Sequence, residues 1–202
     1  MLDRLLSPDV ADTDDPRLAA QTQLSYARQL ILQVQGSDTA RARTLSWVDE
    51  HRDALCRSCL KGHLTASAVV FDHRCQRVML LLHSKLQRWL QPGGHADGDA
   101  NLAAVALREA REETGLPELQ VYLQPIHLDI HEVASRREPA HLHFDLRFAV
   151  RCPVEAQPRG NHESRTLGWH SREQAEAVMN SSSARDMLRR GWAAAEAVWG
   201  GR

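Results

Sequence analysis

Hydrophobic positions along the chain change their spacing near residue 60. In the first 60 residues they follow a helical period, and Asp15-Pro16 suits the start of a helix. One face of this amphipathic helix is formed by Leu24, Ala27, Leu30, Ile31 and Val34. Gly36-Ser37-Asp38 breaks this pattern, and a second helix is predicted over about residues 39–59. We therefore expect a helical extension over residues 1–60, packed on a main domain over residues 61–202.

From Leu64 onward, short apolar runs typical of strands alternate with helical patterns. Strands are predicted at 65–71, 77–82, near 119–133, at 141–151 and at 166–170. A helix is predicted over 100–114, where Gly115 ends it, and further helices begin at Ser171 and Ser183. This alternation of strands and helices predicts an α/β domain.

Charge and hydropathy exclude several classes of partner. The chain has 26 acidic and 25 basic residues, so its net charge of −1 does not attract it to nucleic acid or membrane surfaces. It contains no apolar run of about 18 residues that would span a membrane, and its charged N-terminus lacks the apolar core of a signal peptide. We expect a cytoplasmic protein whose four cysteines stay reduced.

Three carboxylates stand out on the helix predicted over 100–114. Glu109, Glu112 and Glu113 fall at positions i, i+3 and i+4, which places them on one helix face. Like charges at this spacing cost roughly 0.2–0.5 kcal/mol per pair, and a hard divalent cation such as Mg²⁺ would reverse that cost because it takes oxygen ligands. Gly93-Gly94, just upstream, permits a sharp turn and a close backbone approach. On its own, a cluster of this kind is more often a solvated helix face.

The stretch 94–116, GHADGDANLAAVALREAREETGL, resembles the Nudix box. That motif runs Gly, five residues, Glu, seven residues, Arg-Glu, an apolar residue, any residue, Glu-Glu, any residue, Gly and an apolar residue. The positions that match in register are Gly94, Arg108, Glu109, Glu112, Glu113, Gly115 and Leu116. Ala110 is smaller than the usual apolar residue, and Ala100 replaces the first Glu, which in the family supports the helix arginine. We expect Asp97 or Asp99 to pair with Arg108 instead.

The resemblance covers about residues 62–169 and implies a Nudix α/β/α sandwich with a mixed sheet. It implies hydrolysis of the diphosphate bond of a nucleoside diphosphate linked to another moiety, by water attacking phosphorus with the help of Mg²⁺, for which Mn²⁺ is a substitute. The implied metal ligands are the Gly93 carbonyl, Glu109, Glu112 and Glu113. The implied catalytic residues are Glu112, Glu109, Arg108 and Glu163. Glu163 precedes the last strand and is a further ligand or general base, with an exposed loop acid as the alternative.

Candidate contacts to a nucleotide substrate lie outside the box. His95 follows Gly94 directly, and Trp89 and Gln91 precede the glycine turn, where an indole ring either stacks on a base or belongs to the core. Arg147, on a strand face opposite to Phe148, is a candidate phosphate contact or a surface residue.

Histidines are frequent on the predicted strands. His127 and His131 share one strand face, and His141 and His143 share another with Asp145. Each of them is either a residue of the substrate cleft or an ordinary packed histidine.

Cys56 and Cys59 form a C-x-x-C pair without a second such pair. Zinc would need two more ligands, from His51, His63 or Cys75. A redox role would need a thioredoxin-like setting, which is missing. We interpret the two cysteines as ordinary thiols.

Several alternatives stay open at this point. Ala100 motivates a catalytically weak Nudix module that senses a nucleotide, while the intact glutamates favour an enzyme. A branch of the fold isomerises isoprenoid diphosphates with a cysteine in the cleft, but no cysteine occurs between Cys75 and Cys152. The N-terminal helices either cover the cleft or form the surface of a homodimer. The specificity loops lie outside the box, so the nucleoside diphosphate derivative is not determined.

Overall fold

The computed structural model describes residues 9–84, 87–134, 139–160, 166–179 and 181–200. Its strands are β1 (Val10–Asp12), β2 (Gly62–Phe71), β3 (Arg77–His83), β4 (Arg88–Leu90), β5 (Gly93–His95), β6 (Gln120–Tyr122), β7 (His127–Val133), β8 (His141–Arg151) and β9 (Leu167–Ser171). Its helices are α1 (Leu24–Gln33), α2 (Asp38–Glu50), α3 (Leu102–Thr114), α4 (Arg172–Val178) and α5 (Ser182–Trp199), with a 3-10 turn at Pro16–Leu18. No helix in these ranges is both long and apolar enough to cross a membrane.

The strands form one mixed sheet. Its order is β1-β6-β8-β2-β3-β4, with β5 joined to β2, β7 to β8 and β9 to β3. The central strands β2 and β8 run parallel, from the pair Gly62–Leu142 to the pair Phe71–Arg151. Every position of β2 is buried, as expected for a strand that is covered on both faces.

Helices cover the two faces of the sheet with separate apolar cores. On one face, the small residues Ala103, Ala106 and Ala110 of α3 pack with alternate residues of β2 such as Ala66 and Ala68. On the other face, α5 packs Met187, Leu188 and Trp199 against Val69 and Phe71 of β2. Burial of each large apolar side chain contributes roughly 1.5–3 kcal/mol. The predicted α/β/α sandwich with a mixed sheet is confirmed.

Capping residues set the limits of α3. The side chain of Asn101 accepts a hydrogen bond from the Ala104 N–H, which satisfies a donor of the first turn. Gly115 ends the helix in the left-handed conformation at φ 62°. A Cβ added there would also lie 2.5 Å from the Arg159 carbonyl oxygen. Both the backbone conformation and the lack of space therefore favour glycine at this position.

The N-terminal region differs from the purely helical segment that we expected. Residues 10–12 form β1, which pairs antiparallel with β6, and three residues are too few to show a strand period in the sequence. The second helix ends at Glu50 rather than near Cys59. The chain then turns so that buried Ala54 accepts a hydrogen bond from Leu64 N–H at 2.7 Å, at the start of β2.

The strand predicted near 119–133 is two strands. β6 ends at Tyr122 and β7 begins at His127, and Pro125 lies between them. Proline has no N–H to donate to a sheet ladder, so it favours the break. The two pieces pair with different stretches of β8.

Candidate metal and active site

Two glutamates of α3 reach the glycines of β5. The Gly93 N–H donates a hydrogen bond to Glu113 Oε2 at 3.0 Å. At Gly94, an added Cβ would lie 2.4 Å from Glu109 Oε2, so only glycine permits this approach without a shift. The structure therefore brings Gly93, Glu109 and Glu113 together.

Glu109 is a partly enclosed carboxylate, with a side chain that is 17% exposed. Burial raises its pKa, and the nearby charges of Glu112 and Asp97 raise it further. Arg108 opposes this through a hydrogen bond from Nη2 to Glu109 Oε1 at 3.0 Å, but it does not cancel the effect. An enclosed set of oxygen donors whose negative charge is only partly balanced fits a hard divalent cation such as Mg²⁺.

Glu112 faces solvent on the same helix. It lines an open depression of about 470 Å³ with Arg108 and Arg111 from α3 and with Thr13 and Leu18 from the N-terminal region. The carboxylate is close enough to raise the pKa of Glu109. The N-terminal region thus forms one wall of the surface that Glu112 presents.

Arg108 has a different partner from the one we predicted. Its Nη2 donates to the His95 carbonyl at 3.1 Å as well as to Glu109. Asp97 instead forms a two-pronged ion pair with Arg57, at 2.8 and 2.9 Å. The predicted pairing of Arg108 with Asp97 or Asp99 is therefore wrong, although the charge of Arg108 still contributes to a lowered pKa of Asp97.

Asp99 and Ala100 hold the N-terminal region in place. Asp99 Oδ1 accepts hydrogen bonds from the backbone N–H groups of Gln21 and Asn101, both at 2.9 Å. Ala100 is fully buried, and its N–H donates to the Gln21 carbonyl at 2.6 Å. The position of the family's first Glu is thus a backbone anchor in this chain.

Arg147 lies in a buried network and not on the surface. Only 6% of the residue is exposed, and its guanidinium donates to Asp145 at 2.8 Å, Asp129 at 2.9 Å and Ser183 at 3.1 Å. The surface alternative is wrong. The predicted phosphate contact is disfavoured because the strand neighbours already neutralise this cation.

The other substrate candidates lie around β4 and β5. Trp89 packs edge-on against His170 at 4.7 Å between ring centroids, and it borders the core on the α5 face. Gln91 and His95 are half-buried. Their predicted substrate contacts stay predictions. Glu163 lies outside the described residues.

Four histidines meet at one end of the sheet, and sequence reasoning singled out three of them. His141 and His143 share a face of β8 as predicted, and β5 brings His95 to the same place. His63 was missed as a member because strand pairing brings its neighbours to it: β8 sets His143 opposite His63, and β5 pairs with β2 beside it. Its ring centroid lies 4.9 Å from that of His95.

Among the residues that the structure describes, the C-x-x-C pair does not gather metal ligands. Cys59 is buried, and burial raises the pKa of its thiol, which makes it less reactive. Within the described ranges, the group with metal-ligand spacing is His63, His95 and His143, without a cysteine. The interpretation of ordinary thiols agrees with this environment.

Comparisons with known proteins agree with the fold. The family model described as NUDIX domain matches residues 61–191. An Ap4A hydrolase from C. elegans, solved as a binary complex, is 18% identical with a TM-score of 0.54, over 66% of this chain and 98% of that chain. A second structure of C. elegans Ap4A hydrolase is 16% identical with a TM-score of 0.50, over 64% and 96%.

A NUDIX family hydrolase from Clostridium perfringens is 23% identical with a TM-score of 0.49, over 67% of this chain and 97% of that chain. At these identities the two C. elegans structures support the shared fold alone, and the family model establishes membership because it spans more than half of the chain. This chain belongs to the Nudix family.

Proposed function

We propose that this chain is a Mg²⁺-dependent hydrolase that cleaves the diphosphate bond of a nucleoside diphosphate linked to another moiety. The observation that supports it best is the contact of two α3 carboxylates with the glycines of β5, where Glu109 is enclosed and only partly neutralised. Family membership supports the same class of reaction, and the structurally similar Ap4A hydrolase takes its name from a dinucleotide with a phosphate chain.

The residues that would hold the ion are Glu109, Glu112, Glu113 and the Gly93 carbonyl. When bound, Mg²⁺ lowers the pKa of water and neutralises charge on the diphosphate, and Mn²⁺ is a substitute. Arg108 positions Glu109, because one guanidinium nitrogen holds both this carboxylate and the His95 carbonyl. The Gly93 N–H orients Glu113 in the same way.

The depression beside Glu112 suits an anionic substrate. Arg108 and Arg111 line it together with Glu112, and guanidinium groups bind phosphate oxygens through charge-assisted hydrogen bonds. We propose that the diphosphate lies along this side of α3. Glu163 remains our proposal for a further ligand or general base.

A test compares the wild type with Glu112→Gln on a panel of nucleoside diphosphate derivatives, with Mg²⁺ and with Mn²⁺. We expect metal-dependent cleavage by the wild type and a loss of at least about 100-fold in the variant, equivalent to about 2.7 kcal/mol of barrier. Glu118→Gln is the matched control, since Glu118 is an exposed glutamate that follows the box. Equal rates for the wild type and Glu112→Gln would contradict the role of Glu112.

The second candidate is a catalytically weak module that senses a nucleotide. It is favoured by one observation, the loss of the family's first Glu to a buried alanine, which leaves Arg108 with other partners. Under this candidate, calorimetry detects nucleotide binding while no panel member is cleaved with either metal. A cytoplasmic location and a homodimer stay predictions.

A further inference from the structure

A cluster of imidazoles lies at one end of the sheet, and its ring nitrogens are not among the groups proposed to hold Mg²⁺. His63 on β2, His95 on β5 and His143 on β8 each offer one ring nitrogen, and these three atoms lie within 4.8 Å of one another. The ring of His141 completes the group, with its centroid 4.9 Å from that of His63. We call these four residues the histidine cluster.

Backbone carbonyls orient two rings of the histidine cluster. His141 Nδ1 lies 2.9 Å from the Pro139 carbonyl oxygen, and His63 Nδ1 lies 3.4 Å from that of Cys59. A carbonyl oxygen only accepts, so each Nδ1 carries the proton and each Nε2 keeps a lone pair. Histidines that ligate metals are oriented by the same kind of bond to the second nitrogen.

The lone pair of His63 points into a buried place without a donor. His63 is 4% exposed, and among the residues that the structure describes its Nε2 has no hydrogen-bond partner. A buried polar atom without a partner is costly to keep. A bound cation at the centre of the cluster would satisfy it.

The donor set makes the cluster a site for a transition metal. Imidazole nitrogens are preferred ligands of zinc, copper and nickel, and the buried Nε2 of His63, which lacks a hydrogen-bond partner among the described residues, is a nitrogen of this kind.

We propose that His63, His95 and His143 bind a divalent transition metal of the zinc class, with His141 beside them. Two tetrahedral nitrogen ligands of zinc lie about 3.3 Å apart, from Zn–N distances of about 2.0–2.1 Å. The ligand atoms of His63, His95 and His143 lie within 4.8 Å of one another, so they would close by up to roughly 1.5 Å on binding. A cavity of about 120 Å³, lined by His63, His95 and His141 with Arg57 and Leu60, admits the ion.

This site is separate from the carboxylates of α3. Gly94 pairs with Ala66, which faces α3, while His95 pairs with Thr65 on the opposite face of β2. The α3 face offers hard oxygen donors that suit Mg²⁺, and the other face offers nitrogen donors that Mg²⁺ does not prefer. The inference therefore does not rest on the proposed hydrolase function.

The test uses the full-length chain after removal of metal with a chelator. Zn²⁺ binding is measured by calorimetry and Co²⁺ binding by visible absorption, both with millimolar Mg²⁺ present. We expect one tightly bound ion per chain and a Co²⁺ spectrum of tetrahedral type. His95→Asn and His143→Asn each lower the affinity by at least about 100-fold, since a ligand matters more than its supporting groups.

Two matched controls locate the ion. His73→Asn removes a histidine from the turn between β2 and β3, and Glu112→Gln removes a carboxylate of α3; both retain Zn²⁺ binding. Stoichiometric binding that survives His95→Asn, or that is lost in Glu112→Gln, would overturn the proposal, as would no binding by the wild type. His95 is half-buried, so this variant decides the question if His143→Asn does not fold. Mg²⁺-dependent hydrolysis is assayed separately.

Discussion

Replacing Arg147 by methionine separates a structural cation from a substrate contact. The guanidinium is the cationic partner of Asp145 and Asp129 on neighbouring strands. Asp145 is 3% exposed and also accepts hydrogen bonds from Thr65 and Ser67. The variant keeps the length of the side chain but leaves these two carboxylates without their cation.

The cost follows from the burial of the pair. Removing one partner of a buried ion pair destabilises a protein by about 3–5 kcal/mol, because the remaining charge is left uncompensated. Burial alone would raise the pKa of Asp129, but the hydrogen bond from His131 and the charge of Arg147 lower it below the usual range. Native Asp129 thus depends on this cation.

Urea unfolding measures the effect. We expect the free energy of unfolding of Arg147→Met to fall by about 3–5 kcal/mol, and Asp145→Asn in the same chain to recover part of that loss because the two residues are coupled. Arg189→Met is the control, since this arginine is 62% exposed beside Asp186 and such pairs contribute about 0–1 kcal/mol. A change below about 1 kcal/mol in Arg147→Met, with a raised KM, would refute our assignment and restore the phosphate contact.

Three further predictions concern other parts of the chain. Gly94→Ala drives a Cβ to 2.4 Å from Glu109 Oε2, so we expect activity to fall with little change in the circular dichroism spectrum; unchanged turnover would contradict the close approach. Burial, and then the charge of Arg147, lower the pKa of His127 to about 4. As the pH falls, His127 therefore takes up a proton in the unfolded chain at a higher pH than in the folded chain. This difference lowers the free energy of unfolding by about 2 kcal/mol between pH 7 and pH 5. Unfolding curves of His127→Gln should lack this component. Deleting residues 1–58 removes fully buried Ala11 and Ile31, so thermal unfolding should occur at lower temperature; an unchanged midpoint would show a merely accessory segment.

Local patterns predicted much of the fold, because helices and long strands carry their period in the sequence. The helix with the glutamates and the strand at 141–151 lie where the pattern predicts them. Strand β1 was missed because three residues show no period, and its stability comes from pairing with β6, about 110 residues away along the chain.

The site was predictable where it is local and not where it is assembled over long distances. The spacing of Glu109 and Glu113 correctly placed them on one face towards the glycines. Which acid holds Arg57 or Arg108 depends on loop geometry, which no spacing encodes. His63 joined His141 and His143 through the parallel register of β2 and β8, and His95 through the pairing of β2 with β5.

The backbone anchor at Ala100 limits what engineering can achieve at this position. A glutamate introduced there would have to enter a fully buried place beside Gln21, whose carbonyl receives the Ala100 N–H. We expect the free-energy cost of burying a carboxylate in that place to exceed the gain from an ion pair with Arg108. We therefore expect that one substitution does not restore the family's motif here, and that the segment before residue 61, which contacts this position through Gln21, would have to be redesigned with it.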